Sequence, residues 1–184
     1  VYHHKGELDK ALDYYNKSLA IELNTLGENR PDVAASYNNI GCVYHHKGEL
    51  DKALDYYNKS LTIKLNTLGE NHPDVAGTHN NVGNVYADKG EIDKALEYYN
   101  KSLTIRLNTL GDNHPSTADT LYNMGLLHKS QDDPITATEY LNRALVIYCN
   151  KLGEGHEEVR ATRRIIELIE ISCVQKFYMM IIPV

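Results

Sequence analysis

Three asparagines, Asn39, Asn81 and Asn123, stand 42 residues apart in a chain of 184. A side-chain amide is both donor and acceptor, so it can pair with the N–H and the C=O of an extended peptide. A row of such amides would hold a peptide backbone with little regard to its sequence. The same row could instead brace a neighbouring helix, and the residue types alone leave both readings open. The histidines organise less well. His3-His4 and His45-His46 are adjacent pairs at equivalent positions, and His72, His114 and His156 recur every 42 residues. None of these forms the HxxxH pattern that sets two metal ligands on one helix face. The linker histidines read as caps or packing groups at helix starts. Cys42, Cys149 and Cys173 lack CxxC spacing, which argues against a zinc site or a disulfide framework and for a reducing, cytoplasmic compartment. Acidic neighbours such as Glu91 and Asp93 read as solvated helix charges. No Ser–His–Asp arrangement, phosphate loop or dinucleotide fingerprint is visible. Neither catalysis nor a metal or cofactor is expected.

The elements that carry these residues follow from self-comparison. Residues 1–42 and 43–84 align without gaps and differ at eight positions. Residues 85–126 form a third copy with the same punctuation. Residues 127–168 form a more divergent fourth, keeping Ala137, Tyr140, Leu145, Ile147, Leu152, Gly153 and His156 in phase. Each period holds two helical patterns. Ile92, Ala95, Leu96, Tyr99, Leu103 and Leu107 recur at i, i+3, i+4 and i+7, and no period-2 alternation competes. Gly90 separates the patterns, Gly111 ends the second, and His114-Pro115 opens the next. Gly48, Gly69 and Pro73 repeat these signals, as do Gly6, Gly27 and Pro31. In the fourth copy Asp132 replaces the first glycine, and Asp tolerates the left-handed region better than most residues.

This spacing predicts a truncated helix tail over 1–5, then helices over 8–26, 32–47, 50–68, 74–89, 92–110, 116–131, 134–152 and 157–173, with an apolar tail over 174–184. The chain opens at Val1 inside a helical pattern, which reads as a piece of a longer protein. One helix pair cannot bury its apolar stripe alone, so neighbouring pairs must stack. Gly41, Gly83 and Gly125, with Ala11, Ala53, Ala95 and Ala137, read as close-approach positions. Tyr15, Tyr57 and Tyr99 read as fillers between repeats.

The pattern Asn81-Val82-Gly83-x-x-Tyr86-x-x-x-Gly90-x-x-x-x-Ala95-x-x-x-Tyr99-x-x-x-Leu103 resembles the tetratricopeptide consensus. The linker Leu110-Gly111-Asp112-Asn113-His114-Pro115, with its copies 68–73 and 26–31, is similar to that of the 42-residue subclass found in kinesin light chains. The resemblance covers about 1–168 and implies an all-α, right-handed superhelical solenoid of antiparallel helix pairs. It also implies a scaffold that binds protein or peptide segments in a concave groove lined by the first helix of each pair, as in cargo or adaptor binding. Five positions per repeat would face that groove: Asn38, Asn39, Cys42, His45 and His46; Asn80, Asn81, Asn84, Ala87 and Asp88; Tyr122, Asn123, Leu126, Lys129 and Ser130. Asn39, Asn81 and Asn123 would clamp the ligand backbone. Asn38, Asn80, His45, His46, Tyr122 and Lys129 would tune specificity. A clamp for a C-terminal carboxylate is disfavoured, since Asp119 stands where a lysine would serve it.

A formal net charge of −6 argues against nucleic acid and against anionic membrane surfaces, both of which reward clustered Lys and Arg. Two alternatives to the peptide scaffold remain. One is a structural spacer or self-association module, suggested by the apolar run Phe177–Ile182 in a tail too short to span a membrane. The other is the sensor array of a larger signalling protein whose catalytic domain lies elsewhere.

Overall fold

The computed structural model describes residues 2–181. The described residues form eight helices and no strand: α1 (Tyr2–Leu26), α2 (Pro31–His46), α3 (Leu50–Leu68), α4 (Pro73–Asp88), α5 (Ile92–Leu110), α6 (Pro115–Ser130), α7 (Pro134–Leu152) and α8 (Glu157–Ile181). The fold class is the all-α array of helix pairs that the sequence implies, and its helix ends fall within a residue of the expected positions from α2 to α7. The chain divides into two compact units, Val1–Ile105 and Arg106–Val184.

Two boundaries differ from expectation. Gly6 lies inside α1 rather than at a turn. The expected stop at 173 is absent, and α8 continues to Ile181. No Gly or Pro interrupts the sequence after Gly155 until Pro183, and Lys176 Nζ binds Asp132 Oδ1 at 2.5 Å, which ties the extension down. Residues 182–184 of the expected tail lie outside the described residues, as do the side chains of His3 and His4.

Each turn between paired helices closes in one way. In the first unit Gly48 N donates to His45 O (2.8 Å) and Glu49 N to Tyr44 O (2.9 Å). This two-bond cap needs a left-handed residue, and Gly48 has φ +75°. In the second unit Asp133 N donates to His128 O and Asp132 N to Lys129 O, both at 3.1 Å. Asp132 carries φ +58° there without a glycine. Helix starts are capped by the linker histidines. His72 Nδ1 accepts from Asp74 N and His114 Nδ1 from Ser116 N, each at 3.1 Å, with proline at the first helical position.

In the first unit α2 packs on α3 through a glycine facing an aromatic ring. A Cβ on Gly41 would stand 2.8 Å from the Tyr57 ring, and one on Gly83 would stand 2.6 Å from the Tyr99 ring. Tyr57 also meets Ala53, Val82 and Val85, so it fills the space toward the next repeat as well. Its ring is 1% exposed, and burial of a side chain that size contributes about 2–3 kcal/mol. In the second unit Leu141 takes this role, 2.7 Å from where a Gly125 Cβ would lie. Ala137, Leu141, Ile166 and Ile169 form the core that joins α7 to α8.

A buried cation marks two of the junctions between repeats. Lys64 Nζ donates to Thr78 Oγ1 (2.8 Å) and Asp74 O (3.3 Å), anchoring α3 to the first turns of α4. Burial pulls the Lys64 ammonium below its ordinary range, and Asp74 opposes that shift. In the second unit Arg106 donates to Thr120 Oγ1 (2.8 Å) and to Ser116 O.

Candidate functional site

The face of α2 and α4 in the first unit gathers four of the predicted residues, Asn38, Asn81, His45 and His46. Asn81 Nδ2 donates to Asn38 Oδ1 at 3.2 Å, and the contact joins successive first helices of the array. The sulfur of Cys42 lies among three donors: Tyr57 OH at 3.2 Å, Asn38 Nδ2 at 3.9 Å and Asn81 Nδ2 at 4.0 Å. One helical turn on, His45 Nε2 pairs with Asp88 Oδ2 at 2.7 Å. The His45 ring stacks on His46, centroids 6.0 Å apart. Asn38–Asn81 and His45–Asp88 share an offset of 43 residues, one more than the repeat. That offset is the register between α2 and α4.

Between α2 and α4 the amides meet one position off the 42-residue repeat. Asn81 pairs with Asn38 rather than with Asn39, which is exposed and stands outside the pair. Asn80 is 7% exposed, so it faces the packing side of α4 and not a ligand surface. His46 is exposed, and Asn38 and His45 are half-buried. The Asn81 N–H2 group braces α2, and the residue is half-buried.

The second unit offers a different face on α6. Tyr122 is half-buried and packs against the cluster of Ala137, Leu141, Ile166 and Ile169; burial pushes its phenol up. Asn123 is half-buried and engaged with a partner within the structure. Lys129 is exposed. Beside them, Tyr148 OH donates to Asp119 Oδ1 at 2.7 Å. Burial, then the Asp119 carboxylate, hold the Tyr148 phenol protonated well above its ordinary range.

Sequence reasoning missed two features of this face. The first is the tyrosine hydroxyl that supports each groove position: Tyr57 OH reaches Cys42 Sγ, and Tyr99 OH reaches Asn84 Oδ1 at 2.8 Å. Burial raises both phenols, so they remain donors. The signal was present, because position 126 is Leu in the repeat where Leu141 replaces the tyrosine. The polar residue and the hydroxyl disappear together. The second is the pairing of His45 with Asp88, which no spacing rule within a single helix exposes.

Behind this face, on the opposite side of α4, lies an apolar groove of about 670 Å³ lined by Leu65, His79, Lys101 and Ile105 among others. His79 and Asn81 are two positions apart, roughly 200° around the helix. Burial pushes the His79 imidazole down to about 4, so it is neutral at pH 7. Among the described residues no three His, Cys, Asp or Glu side chains converge to hold a metal ion. No helix among them is long and apolar enough to cross a membrane.

Comparison with known proteins matches the tetratricopeptide repeat family model over residues 1–66 and 74–150. A search of curated proteins finds no match. Among solved structures, BtubC (BKLC) from P. vanneervenii aligns with a TM-score of 0.78 at 24% identity, over 93% of this chain and 68% of that one. A Podosopora anserina protein described as a kinesin light chain with nearly identical TPR-like repeats aligns at TM-score 0.73 and 20% identity, over 96% and 84%. The apo form of RapI aligns at 0.72 and 19%, over 93% of this chain and 45% of that one. At these identities the likeness is one of fold.

Proposed function

The chain belongs to the tetratricopeptide repeat family, and from that premise we propose that it is a protein–protein interaction scaffold that binds extended peptide segments along its first helices. The observation that carries the proposal is the polar face of α2 and α4, where half-buried Asn38, Asn81 and His45 cluster with exposed His46 and Asp88. The glycine-to-ring contacts between paired helices in this unit are made by Gly41, Gly83, Tyr57 and Tyr99. The polar face carries amides and imidazoles, which exchange hydrogen bonds with a peptide backbone at little cost in desolvation. In the second unit Tyr122, Asn123 and Lys129 supply the corresponding positions on α6. The repeated amides favour affinity through the ligand's main chain, with His45, His46, Tyr122 and Lys129 adjusting sequence preference. Cargo or adaptor segments, of the sort that kinesin-light-chain-like arrays take, are the ligands this arrangement suits.

The test is to select peptides from a random library against the full chain and map protection by hydrogen–deuterium exchange. Protection of α2, α4 and α6 supports the proposal. Protection confined to α3, α5 and α7 would refute it.

A second reading, self-association, rests on α8, where Leu168, Ile171, Val174, Phe177 and Met179 are all about half exposed or more. Light scattering on the full chain and on Phe177→Asp decides it. A dimer lost on substitution supports it, and a monomer at every concentration removes it.

A further inference from the structure

The groove behind α4 has its own control one repeat earlier. Its lining matches the residues 42 positions before it except at two places: His79 stands for Tyr37, and Glu97 for Asp55. In the earlier copy the Tyr37 ring lies 6.0 Å from the Tyr56 ring. Lys59 Nζ stands over both, 5.7 Å from the first and 4.9 Å from the second. Burial, then the Glu28 carboxylate, push the Tyr37 phenol up, so Glu28 lies toward the hydroxyl end of that ring. One phenol thus sits among an aromatic ring, an ammonium and a carboxylate.

At the groove these neighbours recur without the phenol. Tyr98, Lys101 and Glu70 are the equivalents of Tyr56, Lys59 and Glu28. Lys101 Nζ stands 4.9 Å over Tyr98 and is held by Glu97 at 2.6 Å. Lys101 and Glu70 both line the open volume. The His79 ring keeps the contact with Tyr98, centroids 5.6 Å apart, but an imidazole is shorter than a phenol and has no hydroxyl to send toward Glu70. His79 is 9% exposed, and its Nδ1 is buried with no hydrogen-bond partner. An unpaired buried nitrogen costs stability that a tyrosine would not, so packing alone does not favour the histidine.

We propose that this groove binds a small molecule bearing a phenol, with Lys101 over the ring face and the hydroxyl donating to Glu70. Leu65 and Ile105, which pack in one cluster, supply the apolar wall. An ammonium over a ring face and a carboxylate accepting a hydroxyl are both favourable. The volume of about 670 Å³ is that of a small-molecule site. The groove lies across α4 from Asn81, so the ligand and a peptide on the first helices do not compete.

The probe is para-hydroxyphenylacetamide, titrated into the full chain and read by amide NMR shifts, with phenylacetamide as the hydroxyl-free control. Shifts should centre on His79, Lys101 and Ile105, and the hydroxyl should strengthen binding about tenfold. Glu70→Ala, at an exposed position, should abolish that preference. His79→Tyr should supply the phenol from within and weaken the probe at least about tenfold. The proposal is overturned if both amides bind equally, if Glu70→Ala keeps the preference, if a folded His79→Tyr binds as wild type does, or if the shifts centre on Asn38 and Asn81. It is also overturned if a capped tripeptide with a central tyrosine binds the groove more than about tenfold tighter than the amide, which would assign the groove to a protein partner.

Discussion

The α2·α3 pair of the first unit and the α6·α7 pair of the second close through the same contact but present different faces. In both, a glycine of the first helix receives a bulky side chain of the second: Tyr57 on Gly41, Leu141 on Gly125. The first-unit filler carries a hydroxyl, and the groove residue it reaches is polar, Cys42. The second-unit filler is aliphatic, and the equivalent groove residue is Leu126. The packing side thus keeps its geometry while the groove side changes its chemistry through the same residue. The exposed side of a repeat can change in this way without redesigning its core.

The largest expected effects test the common half of that comparison. Tyr57→Ala and Leu141→Ala should each destabilise by about 3–5 kcal/mol in urea unfolding. Gly41→Ala and Gly125→Ala should cost about 1–3 kcal/mol each, because the new Cβ meets a filled space. Tyr57→Leu alone leaves Cys42 without its donor, whereas Tyr57→Leu with Cys42→Leu recreates the second-unit pairing. The double variant should recover about 1 kcal/mol relative to additivity. Strict additivity would mean that hydroxyl and groove residue are not one device.

A comparable effect separates the two units by pH. His79 occupies a position filled by Tyr37 one repeat earlier and by Leu121 one repeat later. Its folded-state value, about 4, lies below the ordinary 6.5. Between those values the unfolded chain binds more protons, so stability falls as pH falls from about 6.5 to 4, by up to about 3 kcal/mol. His79→Tyr should remove this component. Hydrogen exchange at pH 7 and pH 5 should show the loss in α4 of wild type and not in that variant.

A smaller effect concerns the amide pair. A double-mutant cycle on Asn38→Ala and Asn81→Ala should give a coupling of about 1 kcal/mol in stability. A coupling near zero would return the Asn81 amide wholly to ligand binding.

The fold was legible because 42-residue punctuation by Gly, His and Pro runs from α2 to α7, with Asp132 standing in for glycine after α6. Gly6 misled because a glycine turns the chain only where a packed partner helix holds it there. The stop at 173 failed because periodicity fades before helix propensity does, and nothing after Gly155 breaks the helix until Pro183. The candidate site was half legible. Residue types placed amides on the first helices, but the one-residue register shift between α2 and α4 decides which amides meet. It joins Asn38 to Asn81, leaves Asn39 exposed and is invisible to a strict 42-residue comparison. Asn80 was misassigned for a related reason: adjacent asparagines lie roughly 100° apart on a helix, so one can face the groove while the other packs.

The most direct test is the affinity of one library-selected peptide for wild type and for Asn39→Ala/Asn81→Ala/Asn123→Ala, measured by fluorescence anisotropy with folding verified by circular dichroism. Loss of about 1 kcal/mol per ligand hydrogen bond predicts a fall in affinity of at least about fivefold. Unchanged affinity in a folded triple variant would contradict the proposal that the amides on the first helices hold the peptide.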